Sequence, residues 1–392
     1  MSLAIFTLAA FSFLISWFVT WLMKQVSPRI GFVDRPGGRK IHANPRPLGG
    51  GVAIFCGFTL PVLAGLIVVA LHHPSAAPAW DQAAHVNAAY WSGARQRSPM
   101  MFGFIVAAFC MHLLGLWDDR KSLGPYFKLV CQFAIIAAMV SLLDIRALTA
   151  LDNLGLGRGP SIAVTVLWIA GITNAFNFLD NMDGLSAGVA AVCTAAFLLA
   201  TITIAQWFVA AGLALLLGAL LGFLCFNFPP ATIFMGDSGS LLIGMLLGTL
   251  TVRTTYLQPG EEFGAGWYAV FAPLIVLAVP LYDLIVVSSI RIMRGKSPFV
   301  GDTNHFSHRL VARGMSRRTA VLCLYLITAA TAVAAIILPH VTSPFLAKLI
   351  FLQTLLILGV IALLEQHPLP PPPAAEKPAE PAPRQFISTR NI

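Results

Sequence analysis

Eleven apolar stretches of membrane length follow one another along 392 residues, near 2–23, 49–71, 101–117, 128–143, 161–178, 186–204, 207–226, 239–252, 267–290, 319–338 and 345–364. A bilayer core offers no partner to a free amide or carbonyl, so a chain patterned in this way crosses as helices or as a closed barrel. The two-residue alternation of barrel strands is absent. The sequence therefore predicts an all-α polytopic membrane protein of about eleven transmembrane helices. Charged residues are 10% of the chain, against about a quarter in a soluble domain. The seventh and eighth spans are the least sharply delimited, because 239–252 is short for a crossing. No internal repeat supports an inverted-repeat transporter.

The opening segment MSLAIFTLAAFSFLISWFVTWLM carries no basic residue ahead of its apolar run, and Lys24 and Arg29 follow it. That order predicts an uncleaved first span with its N-terminus outside. The inner segments are then 24–48, 117–128, 179–186, 227–238, 291–318 and the tail, and they hold 19 of the 25 Lys and Arg. This excess is the positive-inside bias, and it puts the C-terminus in the cytoplasm. The net charge of +9 follows from orientation and anionic lipid and calls for no nucleic acid. Six cysteines lie in apolar runs at no motif spacing, so neither disulfides nor a thiolate metal site is expected. Residues 1–365 read as one multi-span domain with its active-site loops on the cytoplasmic side. Residues 366–392 read as a Pro-rich disordered cytoplasmic tail.

Against this apolar background, a few polar segments stand out, all on the predicted inner side. NAFNFLDNMDGL, residues 174–185, places Asn174, Asn177, Asp180 and Asp183 three residues apart at the end of an apolar run. Asn174 and Asn177 can share a helix face, while Asp180 and Asp183 fall where Gly184 helps the helix yield to a loop. Ionisable groups at membrane depth mark functional work by default, and an oxygen-rich cluster suits Mg²⁺ and, through it, phosphate. The bland alternative is a polar interhelical hydrogen-bond cluster, for which carboxylates are poor choices.

GLWDDRKSLG sets Asp118 beside Asp119, as a solvated helix end or as a metal-linked or general-base pair. MGDSGS opens a helix with Asp237, Ser238, Gly239 and Ser240, as simple capping or as a group of free N–H donors for an anion with a carboxylate alongside. Phe234 just before it is either packing or a stacking platform for a base. The loop DRPGGRKIHANPRPLGGG carries Arg39, Lys40 and His42, as a positive-inside anchor or as a phosphate-gathering loop. GKSPFVGDTNHFSHRLVARG brings His305, His308 and Arg309; the histidine spacing could suit zinc, but no third ligand is evident, and a cationic lid over an anion fits better. Asp283, about two helical turns into a span, either supports this site or pairs with a buried basic group.

Acids in three segments and basic groups in two suit a reaction between phosphates, with acids holding Mg²⁺ and cations neutralising the remaining oxygens. DRPGGRKIHANPRPLGG, WDD, NAFNFLDNMDGL, FMGDSGS and HFSHRL, in this order, resemble the polyprenyl-phosphate N-acetylhexosamine-1-phosphate transferases of glycosyltransferase family 4. The resemblance covers roughly residues 1–365 and is strongest to the bacterial undecaprenyl-phosphate GlcNAc-1-phosphate transferases that begin lipopolysaccharide or teichoic acid synthesis. The branch that makes lipid I normally has three adjacent histidines, where this chain has NHFSHRL.

The resemblance implies transfer of a HexNAc-1-phosphate from a UDP-N-acetylhexosamine to undecaprenyl phosphate, with UMP released. It implies a multi-pass protein of the bacterial inner membrane, with its active site on the cytoplasmic face and Mg²⁺, or Mn²⁺ in its place, as cofactor; a homodimer stays open. It also implies roles. Asn177 and Asp237 would hold the metal, and Asp118 or Asp119 would act on the lipid phosphate. Asp183 would bond the uracil and Phe234 stack on it. Asp180 would belong to the catalytic cluster and Asn174 to the substrate site. His305, His308 and Arg309 would meet the diphosphate or sugar, and Arg39, Lys40 and His42 would assist. The rivals are an intramembrane Mg²⁺-dependent prenyltransferase, which has no use for the His305–Arg309 lid, and a lipid-linked-sugar flippase or binding protein, which needs no metal.

Overall fold

A computed structural model describes residues 2–34, 45–72, 88–154, 156–254, 267–298, 305–341 and 343–366. Arg39, Lys40, His42 and the expected tail lie outside them. The described chain is a helical bundle built around one short helix buried on almost every side. In order, the helices are α1 (Ser2–Arg29), α2 (Gly50–Leu71), α3 (Ala88–Arg120), α4 (Pro125–Leu142), α5 (Gly159–Leu179), α6 (Leu185–Thr203), α7 (Trp207–Asn227) and α8 (Asp237–Arg253). They continue as α9 (Ala272–Val276), α10 (Ala278–Met293), α11 (Phe306–Ala312), α12 (Arg317–Ile337) and α13 (Pro344–Gln366). A two-residue antiparallel ladder, β1 (Val33–Asp34) with β2 (Arg46–Pro47), closes the loop after α1.

Among the described residues, nine helices are long and apolar enough to cross a membrane, ten if α9 and α10, bent by 67° at their junction, form one broken span. The shortfall from eleven falls on the 239–252 run. Its helix, α8, has 17 residues and is about 25 Å long, so it lies inside the bundle with neighbours on all sides. It packs chiefly on α5 and α3, and then on α2, α6 and α7. Every residue from Ser238 to Thr251 is buried.

Small residues permit this enclosure, as is general where helices meet in lipid. A Cβ at Gly51 of α2 would come within 2.4 Å of the Gly239 nitrogen, and one at Gly115 of α3 within 2.4 Å of the Ser238 backbone. On the other flank, Gly244 faces the Thr173 backbone of α5. α1 lies along α7 by the same device, with Gly218 and Gly222 against the α1 backbone and the Ser12 and Ser16 hydroxyls donating to Leu215 and Ala219 carbonyls. The outer helices show bare apolar faces, as α13 does with Leu352, Leu355 and Leu356.

Glycine-to-alanine changes in these helices should therefore split by position. Gly65→Ala, in α2 with open space around it, should hold or slightly raise the melting temperature, because alanine stiffens the unfolded chain and favours helix. Gly115→Ala should lower it by an overpacking cost of about 1–3 kcal/mol. Thermal unfolding of the detergent-solubilised variants, followed by size-exclusion chromatography, reads the difference.

Candidate functional site

The N-terminus of α8 is the point at which the polar segments converge. Its first amides, buried among apolar helices, need acceptors. Asp119 supplies them from the last turn of α3: its carboxylate accepts the N–H of Asp237 at 2.7 Å and that of Ser238 at 3.1 Å. Gly236, with φ of 73°, turns the chain against that carboxylate, where a Cβ would lie 2.5 Å from its oxygen. The next two amides, Gly239 and Ser240, bond the Gly236 carbonyl. The helix start is thus already satisfied by an anion of the protein's own, and it is not an open row of donors. His112, two turns earlier on α3, adds a 3.0 Å bond between Nδ1 and the Ser238 carbonyl while stacking on Phe55.

Asp118 points elsewhere. It accepts the Leu123 amide at 2.5 Å and the Lys128 ammonium at 3.0 Å. Lys128 also bonds Asp237, so one cation bridges two carboxylates brought from α3 and α8. Lys128 is a site residue that the sequence reading passed over. Its signal was a lysine in the first turn of an apolar helix, ten residues after an acidic pair. One turn further along α4, Gln132 accepts from Asn174 at 2.8 Å.

α5 ends at Leu179, and Asp180 begins the turn that Gly184 completes with φ of 71°. This is the helix-to-loop change expected from the spacing. Asn174 and Asn177 are used differently. Asn174 holds α4, while Asn177 donates its amide to Asp237 and to Ser240, each at 3.0 Å. Asn177 keeps its Oδ1 free of hydrogen bonds among the described residues. The Asp180 carboxylate likewise accepts none there. Burial, and then the nearby charges of Asp237, Asp119 and Asp183, push its carboxyl well above the ordinary range.

The turn is fixed from outside. Asp183 accepts the Ala231 amide at 2.9 Å, which ties it to the loop that carries Phe234. Asn227 accepts from Gly184 and donates to Ile233, and the Tyr325 hydroxyl donates to the Gly184 carbonyl. Phe234 is half-buried, and its backbone joins Pro47 and Gly50.

The segment with His305, His308 and Arg309 forms α11 and docks on the same turn. The Ser307 hydroxyl donates to Asn181 at 2.6 Å. Asp283 of α10, 2% exposed, accepts from His305 Nδ1 at 2.8 Å and from the Phe306 amide at 2.9 Å. On the other side of the ring, the Arg291 guanidinium is 3.4 Å from His305 Nε2 and stands 4.9 Å from the centre of the Phe178 ring. The ring is thus held between an acid on one side and a guanidinium on the other. Of the two readings left open for Asp283, the structure shows the pairing: it meets a buried histidine, and by doing so it seats the start of α11. His305 is 5% exposed and committed to this seat, while His308 and Arg309 lie further along the helix, half-buried.

Among the described residues, no three His, Cys, Asp or Glu side chains gather closely enough to cage a metal. Mg²⁺ does not ask for such a cage; it typically takes one or two carboxylates and leaves the remaining positions to water and substrate phosphate. Asp237, the free Oδ1 of Asn177 and the donor-less Asp180 fit that demand as an all-oxygen set.

The pattern of the family described as glycosyl transferase family 4 matches residues 101–255, which include the acidic residues of α3, the α5 turn and α8. The chain is 30% identical over 330 residues to a probable undecaprenyl-phosphate N-acetylglucosaminyl 1-phosphate transferase of Bacillus subtilis, covering 83% of this chain and 82% of that one. It is 30% identical to the decaprenyl-phosphate N-acetylglucosaminephosphotransferase of Mycobacterium tuberculosis over 80% and 77% of the two chains. It is 25% identical to the undecaprenyl-phosphate alpha-N-acetylglucosaminyl 1-phosphate transferase of Yersinia pestis over 83% and 81%.

Two structural outcomes follow from the hydrogen bonds. Asp119→Ala should destabilise the fold by about 1–2 kcal/mol or more, as loss of a buried helix cap does. Asp283→Ala should loosen α11 while leaving the bundle intact, and limited trypsin digestion should then cut within 291–313 about tenfold faster, reading an opening cost of about 1–3 kcal/mol. An unchanged digestion rate would mean that Asp283 does not seat the lid.

Proposed function

The chain belongs to the polyprenyl-phosphate N-acetylhexosamine-1-phosphate transferases of glycosyl transferase family 4, and from that membership we propose how its acid cluster works. The enzyme transfers GlcNAc-1-phosphate to a polyprenyl phosphate. Its donor is a UDP-sugar, its lipid acceptor is undecaprenyl phosphate, and the reaction takes place at the cytoplasmic face of a bacterial inner membrane. The observation that carries this reading is the meeting of Asp118, Asp119, Asp180 and Asp237 with the single ammonium of Lys128 at the mouth of a buried helix. Among the described residues, four acids meet one ammonium there, and the raised pKa of Asp180 marks the crowding of like charge, which a divalent cation with phosphates bound to it would relieve.

Asp237 and Asn177 would hold Mg²⁺, with Asp180 beside them. When bound, Mg²⁺ would supply charge stabilisation for the diphosphate being broken. A phosphate oxygen of the lipid attacks the β-phosphorus of UDP-GlcNAc, the bond from that phosphorus to the bridging oxygen breaks, and UMP leaves. One phosphoanhydride replaces another, so the reaction should run readily in both directions.

The residues divide the remaining work. Both oxygens of Asp119 are committed to the α8 backbone, so Asp119 is a positioning residue that aims Asp237. Asp118 is then the acid that meets the lipid phosphate. Lys128, once released from bridging Asp118 and Asp237, offers its charge to the transferring phosphates. Asp183 and Phe234 share one loop contact and are placed to receive the uracil as a hydrogen-bonding acid and a stacking ring. His308 and Arg309 close over the diphosphate, held in place by His305 and Asp283.

The deciding measurement is UMP release by the purified protein, given UDP-GlcNAc, undecaprenyl phosphate and Mg²⁺. Prenyl transfer would release diphosphate, and a flippase would release nothing. Removing the metal with EDTA should abolish turnover, and Mg²⁺ or Mn²⁺ should restore it. Asp237→Ala should abolish product while lipid and nucleotide binding are partly kept; full activity in that variant would sink the assignment. Lys128→Gln should lower kcat by about 10²-fold or more, the usual scale for one charge aimed at a transition state, with a smaller change in KM. Lys128→Arg should recover part of that loss.

A further inference from the structure

At the far end of α8 from the acid cluster, two arginines flank an apolar cavity. Arg253 ends the helix, about 25 Å from Asp237. Beside it, a small apolar cavity of ≈ 30 Å³, partly open to the outside, lies between α2, α3, α7 and α8, with Phe58, Met101, Phe104, Phe208 and Leu250 among its walls. Arg97, exposed on α3 just ahead of that helix's apolar stretch, sets its guanidinium 5.1 Å from the centre of the Phe208 ring. Phe208 and Arg253 line the same cavity, so the two guanidinium groups flank it together. The Nε of Arg253 is shut away from solvent with no hydrogen-bond partner. Among the described residues, no carboxylate pairs with either arginine.

Two like charges and an orphaned donor beside an oily cavity form an arrangement that is incomplete as it stands. A soluble anion would answer the charges and leave the cavity unfilled. A neutral chain would fill the cavity and leave the charges unanswered. We propose that Arg97 and Arg253 bind the phosphate of an anionic phospholipid whose acyl chain lies over the open mouth of the cavity lined by Phe58, Met101, Phe104 and Phe208. The guanidinium fork matches phosphate oxygens in paired hydrogen bonds, and the ring of Phe208 already carries one of the two cations on its face. The same position gives the lipid a structural effect. α3 and α8 bring Asp119 and Asp237 together at one end, and at the other end they carry the two arginines. A bound phosphate draws those far ends together and braces the pair of helices that builds the site.

The full chain, purified in mild detergent, would be examined by native mass spectrometry and thermal unfolding with phosphatidylglycerol, with phosphatidylcholine of the same acyl chains, and with inorganic phosphate. Phosphatidylglycerol should be retained about tenfold more than phosphatidylcholine, the scale of one charge-assisted contact, and should raise the melting temperature; inorganic phosphate should not. Arg97→Gln with Arg253→Gln should erase the preference while leaving transferase turnover in detergent unchanged. Gly212→Leu, which fills the cavity and keeps both charges, should also lose the lipid. The proposal is overturned if the wild type retains both lipids equally, if the double variant keeps the wild-type preference, or if inorganic phosphate matches the stabilisation by phosphatidylglycerol.

Discussion

The bond from the Asp119 carboxylate to the first two amides of α8 is the contact on which the rest of the structure depends. A helix that starts inside a membrane protein has donors with no water to satisfy them, and each orphan would cost a few kcal/mol. Satisfying them from α3 fixes where α3 ends relative to α8. That in turn demands Gly115 and Gly51 at the crossing, because no side chain fits between the backbones there. The cap also sets the aim of Asp237, whose own amide is one of the two donors. A capping acid, two glycine contacts and a reactive carboxylate are consequences of one placement.

That placement has an electrostatic consequence. Asp119 could be answered by the helix dipole, but Asp118, Asp180 and Asp237 crowd the same opening. Lys128 bridges two of them, and Asp180 is left with no donor among the described residues. An arrangement selected for stability alone gains nothing from an acid that burial and like charges hold well above its ordinary pKa. On the proposed reading, the missing positive charge would arrive with the substrate. A cation carrying a nucleotide diphosphate would then find oxygens already arranged around it, and little reorganisation would remain for the chemical step.

Much of this was legible in the chain. Apolar runs gave most helices to within a few residues, although α3 begins at Ala88, well ahead of its run at 101–117, and 267–290 breaks at the α9–α10 bend; the Asp180–Gly184 turn was placed by its spacing and its glycine. What could not be read was the partner of each polar group, because partners in a helical bundle come from elements far apart in sequence. Asp119 and Ser238 are 119 residues apart. From the sequence, DSGS offered two readings, capping or an open anion site; the choice depended on whether an acid elsewhere would reach it, and Asp119 does. Lys128 was missed because a lone lysine at a helix start looks like an interfacial anchor. The enclosure of α8 was hidden for a related reason: hydropathy records that a helix avoids water but does not say whether its neighbours are lipid or protein.

His305 shows how far a motif can be carried before geometry must take over. HFSHRL reads as a row of basic groups facing an anion. Yet the first histidine has one nitrogen on Asp283 and the other towards Arg291. An enclosed imidazole with both nitrogens occupied is a poor phosphate clamp and a good strut. Since Ser307, two residues on, bonds Asn181 within the acid-bearing turn, the strut joins the lid to the same turn that holds Asp180 and Asp183. On the proposed reading, closure over a diphosphate and placement of the acids beneath it would be one mechanical unit, with α10 as the element that Asp283 anchors it to.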